Sequence, residues 1–149
     1  MPAGKAYPEN PRTLVLGSVK SKSSFISPLA VSPLPDGRRW RLVFPFQYHV
    51  GSRYSQEVIK VPAEFITDFA SIPKFLWWLP SWAKYIKAAV LHDWMYVTQN
   101  IAGKPITRKY ADQIFLEAML IEWRHHQSRY VMARIEYYSV RIFGWVAWY

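Results

Sequence analysis

Hydrophobic and polar positions change their period partway along the chain, near residue 74. Before that point apolar residues come in short alternating runs. Residues 13–19 and 25–31 lean towards β structure and flank a Ser/Lys cluster at 20–24. Pro33, Pro35, Asp36 and Gly37 form a turn signal. From 39 to 50, Trp40, Leu42, Phe44, Phe46, Tyr48 and Val50 fall on one parity, as in a half-buried strand. After a loop at 51–55, Val58, Ile59, Val61, Phe65 and Ile66 support a second extended segment over 57–67, broken by Pro62. Together these pieces predict a small antiparallel sheet.

Beyond Pro73 the spacing becomes helical. Ser81 is a candidate N-cap for a helix reaching about Thr98, and Asn100, Gly103 and Pro105 interrupt it. Thr107, or the residue before it, begins a second helix through about Trp123. A break at 125–128, where His125 and His126 are expected to face solvent, precedes a third helix from about Arg129 towards the C-terminus. The fold class expected is α+β: a small antiparallel β-sheet, then an antiparallel helix pair and a third, C-terminal helix. A length of 149 residues fits one domain with one shared core, β-rich over about 13–67 and helical over about 74–149. Residues 1–12, with three prolines, read as an extended arm outside the core, held by a neighbour.

Composition sharpens this picture in three ways. Eight Trp, ten Tyr and eight Phe mean that aromatic rings supply much of the burial and leave some surface for contacts. A net charge of +9 biases the surface towards nucleic acid, anionic lipid or an acidic protein neighbour, but the basic residues are scattered and no nucleic-acid motif accompanies them, so no specific nucleic acid is expected. The absence of cysteine excludes disulfides and thiolate metal sites. The first ten residues carry no secretory-type apolar stretch, and 140–149 is too short to span a bilayer. In that last segment Ile142 and Phe143 are expected in the core, whereas Trp148 and Tyr149 are left open between core and partner contact.

The stretch AAVLHDWMY at 88–96 places a His-Asp pair inside an apolar helical run, and buried charge needs a partner. Two helices joined by a short loop run antiparallel, so residues equidistant from the loop centre meet. Both His92 with Asp112 and Tyr96 with Arg108 are centred on position 102. His92 and Tyr96 share a face at i, i+4, and Asp93 is turned away by about 100°. A His backed by a carboxylate can act as general base on water; His92, Asp112 and Tyr96 are therefore the candidate catalytic group, unless they form a polar clasp fixing helix register. Asp93 is left to face a cation or the loop at Asp68, which makes Asp93 and Asp68 the candidate metal ligands.

TDFASIP (67–73), FLWW (75–78), AAVLHDWMY (88–96) and RKYADQIFLEAM (108–119) occur in order, and with them the chain resembles a family of short proteins of unknown function from tailed bacteriophages and prophages. The resemblance covers roughly residues 40–145. A more distant likeness lies in HDxxY at 92–96 followed by Ala111, Asp112 and Phe115, which is similar to the helix pair of secretory phospholipases that cleave the sn-2 ester. That likeness implies that His92 activates water, Asp112 orients His92, Tyr96 braces the pair and Asp93 holds Ca²⁺ or another divalent cation. The chain departs from it in having no glycine-rich loop between 65 and 80. AAVLHD also resembles the His-Asp step of metal-dependent phosphohydrolases, which need an earlier helical His; the only earlier one is His49, in an expected strand.

The setting implied is a virion, or the cytoplasm of an infected bacterium before assembly or lysis. The first expectation is a component of the tail tip or baseplate that bridges other phage tail proteins. The alternative is a His-Asp hydrolase acting on anionic lipid or another envelope ester during entry or lysis, with a metal-dependent phosphohydrolase third.

Overall fold

The computed structural model describes residues 14–16, 25, 27–69, 86–122 and 129–148. The N-terminal arm, the proposed cap at Ser81, the FLWW stretch, His125, His126 and Tyr149 lie outside the described residues.

The fold is α+β, with short antiparallel strands first and helices after. Strands β1 (Leu14–Leu16), β2 (Leu29–Pro33), β3 (Trp40–Leu42) and β6 (Ile66–Thr67) form one antiparallel sheet in the order β1-β2-β3-β6. Strands β4 (Phe46–His49) and β5 (Val58–Val61) form a separate hairpin. The turn signal at 33–37 joins β2 to β3: Gly37 takes a left-handed φ of 71°, and Asp36 Oδ1 accepts the backbone N–H groups of Arg38 and Arg39 at 2.9 and 3.0 Å. Those bonds, with the Arg39 guanidinium beside them, hold the Asp36 carboxyl well below the usual carboxylate range.

Two strand expectations need correction. The piece expected at 25–31 pairs as a strand only from Leu29, and Phe25 makes a lone bridge to Tyr48. The single strand expected over 39–50 is two strands in two different sheets. Its alternation survives, with Leu42, Phe46 and Tyr48 all buried. Pairing stops between them, where Pro45 has no N–H to donate to a ladder. Val43 and Leu42 bond instead to the carbonyls of Ala30 and Phe65.

Helix α1 (Ile86–Thr98) is central, and its residues show why: Ala88, Ala89, Val90, Leu91 and Met95 are fully buried and cover more than one face. It ends at Gln99, which takes a left-handed φ of 53° while its N–H donates to Met95 O at 2.8 Å. The interruption at 100–105 is a minimal hairpin of β7 (Asn100–Ile101) and β8 (Lys104–Pro105). Its two turn residues, Ala102 and Gly103, have φ of 51° and 83°, the signature of a turn that matches strand twist. Helix α2 (Arg108–Glu122) then starts under a Thr107 cap, whose hydroxyl accepts the Tyr110 N–H at 3.1 Å.

Helix α2 returns along α1 and ties the layers together. Glu117 accepts the Tyr48 hydroxyl at 2.5 Å and the Gly51 N–H at 2.8 Å, anchoring the β4–β5 hairpin. Glu122 accepts the Ala88 N–H at 2.6 Å at the start of α1. Burial raises the Glu122 carboxyl well above its ordinary range and lowers the neighbouring Lys87. Helix α3 (Arg129–Phe143) packs on α2 through Ala133 and Val140, and a turn at Gly144 leads into the short α4 (Trp145–Trp148). Ile142 and Phe143, expected in the core, are 61% and 73% exposed. The inner face of α3 is spent on residues 133, 136 and 140; Ile142 falls on the opposite side, and Phe143, one turn after Val140, lies at the end of the helix and lines the cavity described below. Trp148, by contrast, packs edge-on against Tyr96 with ring centroids 5.1 Å apart.

Candidate functional site

The site is assembled where α1, α2 and α3 meet, and its centre is the carboxylate of Asp112. Asp112 lies on the buried face of α2, next to Ala111 and one turn before Phe115, and is 0% exposed. A carboxylate so placed must have its lone pairs satisfied from within the protein. Oδ1 is bonded to His92 Nε2 at 2.7 Å and accepts the Tyr96 hydroxyl at 2.6 Å, both from α1. Oδ2 accepts the Arg141 guanidinium at 2.8 Å, from α3, with Arg108 Nη1 at 3.6 Å. Burial pushes the Asp112 carboxyl up, but the bonds from His92, Tyr96 and Arg141 outweigh it and hold the group below its usual range. Asp112 is thus an anion in the fold. The same bond raises the Arg141 guanidinium, while burial first and then Asp112 push the Tyr96 phenol well above its ordinary range, so Tyr96 stays protonated and donates.

His92 is held in one orientation. Its ring lies between Tyr96, at a centroid distance of 4.1 Å, and Phe115, at 4.5 Å. With Nε2–H donated to a permanent anion, Nδ1 becomes the basic nitrogen of the neutral ring. His92 also lines a cavity of about 820 Å³. Its walls are chiefly apolar, including Phe65, Val97, Val140, Phe143 and Val146, with Asp68, Asp93 and Arg39 as polar members. The arrangement therefore puts an oriented imidazole beside a space large enough for a small organic molecule.

Both candidate metal ligands reach this cavity. Asp93 accepts the Thr67 hydroxyl, which in turn accepts the Phe69 N–H at 3.1 Å, so the end of β6 is fastened to α1. Asp68, between the buried Thr67 and Phe69, is exposed. Calcium takes about six to eight oxygen ligands, and among the described residues no three His, Asp or Glu side chains converge on one point. Among the described residues, Asp68 and Asp93 by themselves do not complete a calcium shell. His49, the earlier histidine, sits in β4 with Nδ1 2.9 Å from the Ser55 carbonyl, so it supplies no helical partner to His92.

Two members of the site, Arg141 and Gly144, carry no signal in the sequence reading. Arg141 is one of the scattered basic residues of the sequence, although a buried Asp112 demands a cation and Arg141 follows Val140, which is buried on the inner side of α3. Gly144 is needed because a Cβ there would stand 2.6 Å from the Tyr96 hydroxyl and collide with the Val140 carbonyl. Arg108, matched to Tyr96 by spacing, also donates to the carbonyls of Val140 and Arg141 at 3.2 Å, closing the end of α3 over the site.

Among known proteins, a family model described as "Protein of unknown function (DUF1353)" matches residues 40–140. Neither a curated protein nor a solved structure matches the chain. The matched span holds Thr67, Asp68, His92, Asp93, Tyr96 and Asp112, and it ends one residue before Arg141. Since it covers about two thirds of the chain, the protein belongs to the DUF1353 family.

Proposed function

We propose that the protein is a His-Asp ester hydrolase, with His92 as general base, Asp112 as its positioning residue and Tyr96 bracing both. The observation that carries this reading is the 2.7 Å bond from His92 Nε2 to a buried, charged Asp112, made at the wall of a largely apolar cavity that His92 also lines. In the reaction His92 Nδ1 takes a proton from water as the oxygen attacks the ester carbonyl. The imidazolium is stabilised across the ring by Asp112. As the tetrahedral intermediate collapses, the C–O bond to the alcohol breaks and His92 returns the proton to the departing oxygen, leaving acid and alcohol. The apolar walls favour an ester with a hydrocarbon acyl group, as in the phospholipase likeness. The test is turnover of a panel of acyl esters and phosphoesters by the purified protein, with and without divalent ions. Release of carboxylic acid by wild type and not by a folded His92→Gln variant supports the reading.

A second reading, a tail-tip or baseplate component bridging neighbouring phage proteins, is favoured by the exposed apolar residues of α3 and α4, among them Tyr138, Ile142 and Trp145. It requires the protein to co-purify in fixed ratio with assembled particles. Absence from washed virions by mass spectrometry would sink it. A virion-borne enzyme satisfies both readings.

A further inference from the structure

The outer face of α3 and α4 is built unlike the rest of the surface. Val131, Ile135, Tyr138, Ile142 and Trp145 follow one another at spacings of four, three, four and three, and each is between 41% and 63% exposed. This is the pattern of an amphipathic helix whose apolar stripe has been left outside, since the inner face is already packed on α2. The stripe adjoins the cavity described above. Phe143 and Val146, in the same segment, and Val97 at the end of α1 are 73%, 67% and 70% exposed, and all three line that cavity. Exposed apolar residues next to the stripe in sequence thus stand at the mouth of the site.

Charge identifies the occupant. From 129 to 148 the sequence has three arginines and one acidic residue, Glu136. Glu136 is fully buried, so the described residues of α3 and α4 expose no carboxylate while Arg134 is exposed among them, and Asp68, after β6, is the exposed acid at the cavity. The whole chain is at +9. A second copy would set Arg134-bearing faces against each other with no acid to pair them. An anionic bilayer fits this face: its headgroups take Arg134, since Arg141 is committed to Asp112, its acyl region takes Ile135, Ile142 and Phe143, and Tyr138 and Trp145 have the amphipathic rings that settle at the boundary.

We infer that the outer face of α3 and α4 is a docking surface for anionic lipid bilayers, and that it seats the cavity mouth against the membrane. The docking stands on this face alone; that the cavity then receives a lipid ester rests on the hydrolase reading. The surface explains how a substrate with long acyl chains reaches His92 without crossing water.

Sedimentation with vesicles of phosphatidylcholine and phosphatidylglycerol in equal amounts, compared with phosphatidylcholine alone, tests it. Wild type is expected to bind the anionic vesicles, more weakly as salt is added, and the exposed-site double variant Ile142→Ser/Trp145→Ser to lose about tenfold or more in partitioning. His92→Gln is expected to bind like wild type, so failure of catalysis and failure of docking read out separately. If the hydrolase reading holds, the double variant keeps its rate on a short soluble ester and loses it on vesicles. Equal binding to neutral vesicles, equal binding by the double variant, or no vesicle binding together with a wild-type dimer that the double variant abolishes in sedimentation velocity would overturn the inference.

Discussion

The guanidinium of Arg141 meets Asp112 Oδ2 at 2.8 Å, so the third helix supplies the countercharge for a carboxylate that the first helix uses to orient His92. Removing one partner of a buried ion pair leaves the other desolvated and unpaired. Arg141→Met is therefore expected to cost about 2–3 kcal/mol, below the roughly 3–5 kcal/mol of a fully buried pair, because the arginine is 29% exposed and Arg108 remains nearby. Arg141→Lys keeps the charge without the planar fork and should fall between. Urea unfolding of the three proteins checks the order.

Gly144 and Tyr96 are in equally close register. Gly144→Ala places a methyl group 2.6 Å from the Tyr96 hydroxyl and against the Val140 carbonyl. Overpacking of this kind costs about 1–3 kcal/mol, and here the simplest relief is to move α4. Expected together are a lowered Tm and a shift in Trp fluorescence as Trp148 leaves the Tyr96 ring. A drop in Tm with unchanged fluorescence would place the strain elsewhere.

Two buried carboxyls give stability opposite dependences on pH. Asp112 is held below its usual range by His92, Tyr96 and Arg141 despite burial, so its contribution is present above the unfolded-state value of about 3.9 and is lost as pH falls below it. Glu136 is 0% exposed, neither carboxyl oxygen has a hydrogen-bond partner, and burial pushes it up to about 8. Below about 4.5 it is protonated in both states; from there to about 8 the folded state alone keeps the proton, and stability declines as pH rises through that window. Glu136→Gln is expected to flatten the alkaline side of the profile and Asp112→Asn the acid side, in denaturation midpoints measured from pH 3 to 9.

Thr67→Val removes the hydroxyl that joins β6 to Asp93 while keeping the shape of the side chain. The Asp93 carboxylate loses that donor and the Phe69 N–H its acceptor. A loss of about 1–3 kcal/mol is expected, and amide exchange should rise first at residues 67–69, where the bond is made.

The heart of the site is legible in the sequence. A charged pair in an apolar run called for a partner, and the common midpoint at 102 named Asp112, because a two-residue hairpin turn lets helices return in mirror register. The outer members were not legible by that logic. Arg141 reaches Asp112 across a segment whose length says nothing about how α3 crosses α2, and long-range docking leaves no periodic mark. The alternation through Phe44 and Phe46 reads the same whether a strand continues or changes sheets, so only Pro45 signalled the break. Ile142 and Phe143 read as core on hydropathy alone, yet Ile142 falls opposite the face that holds Ala133, Glu136 and Val140, and Phe143, though on that side, stands at the end of α3 beside an open cavity.

The most direct measurement is release of carboxylic acid from an acyl ester by wild type, His92→Gln and Asp112→Asn, with far-UV circular dichroism on each to verify the fold. Turnover in wild type, its loss in His92→Gln and a steep fall in Asp112→Asn are expected if the pair orients a base for water. Turnover that persists in a folded His92→Gln, or its absence in wild type across the ester and phosphoester panel with and without divalent ions, would contradict the hydrolase and leave the His92–Asp112–Arg141 group as a clasp that holds three helices together.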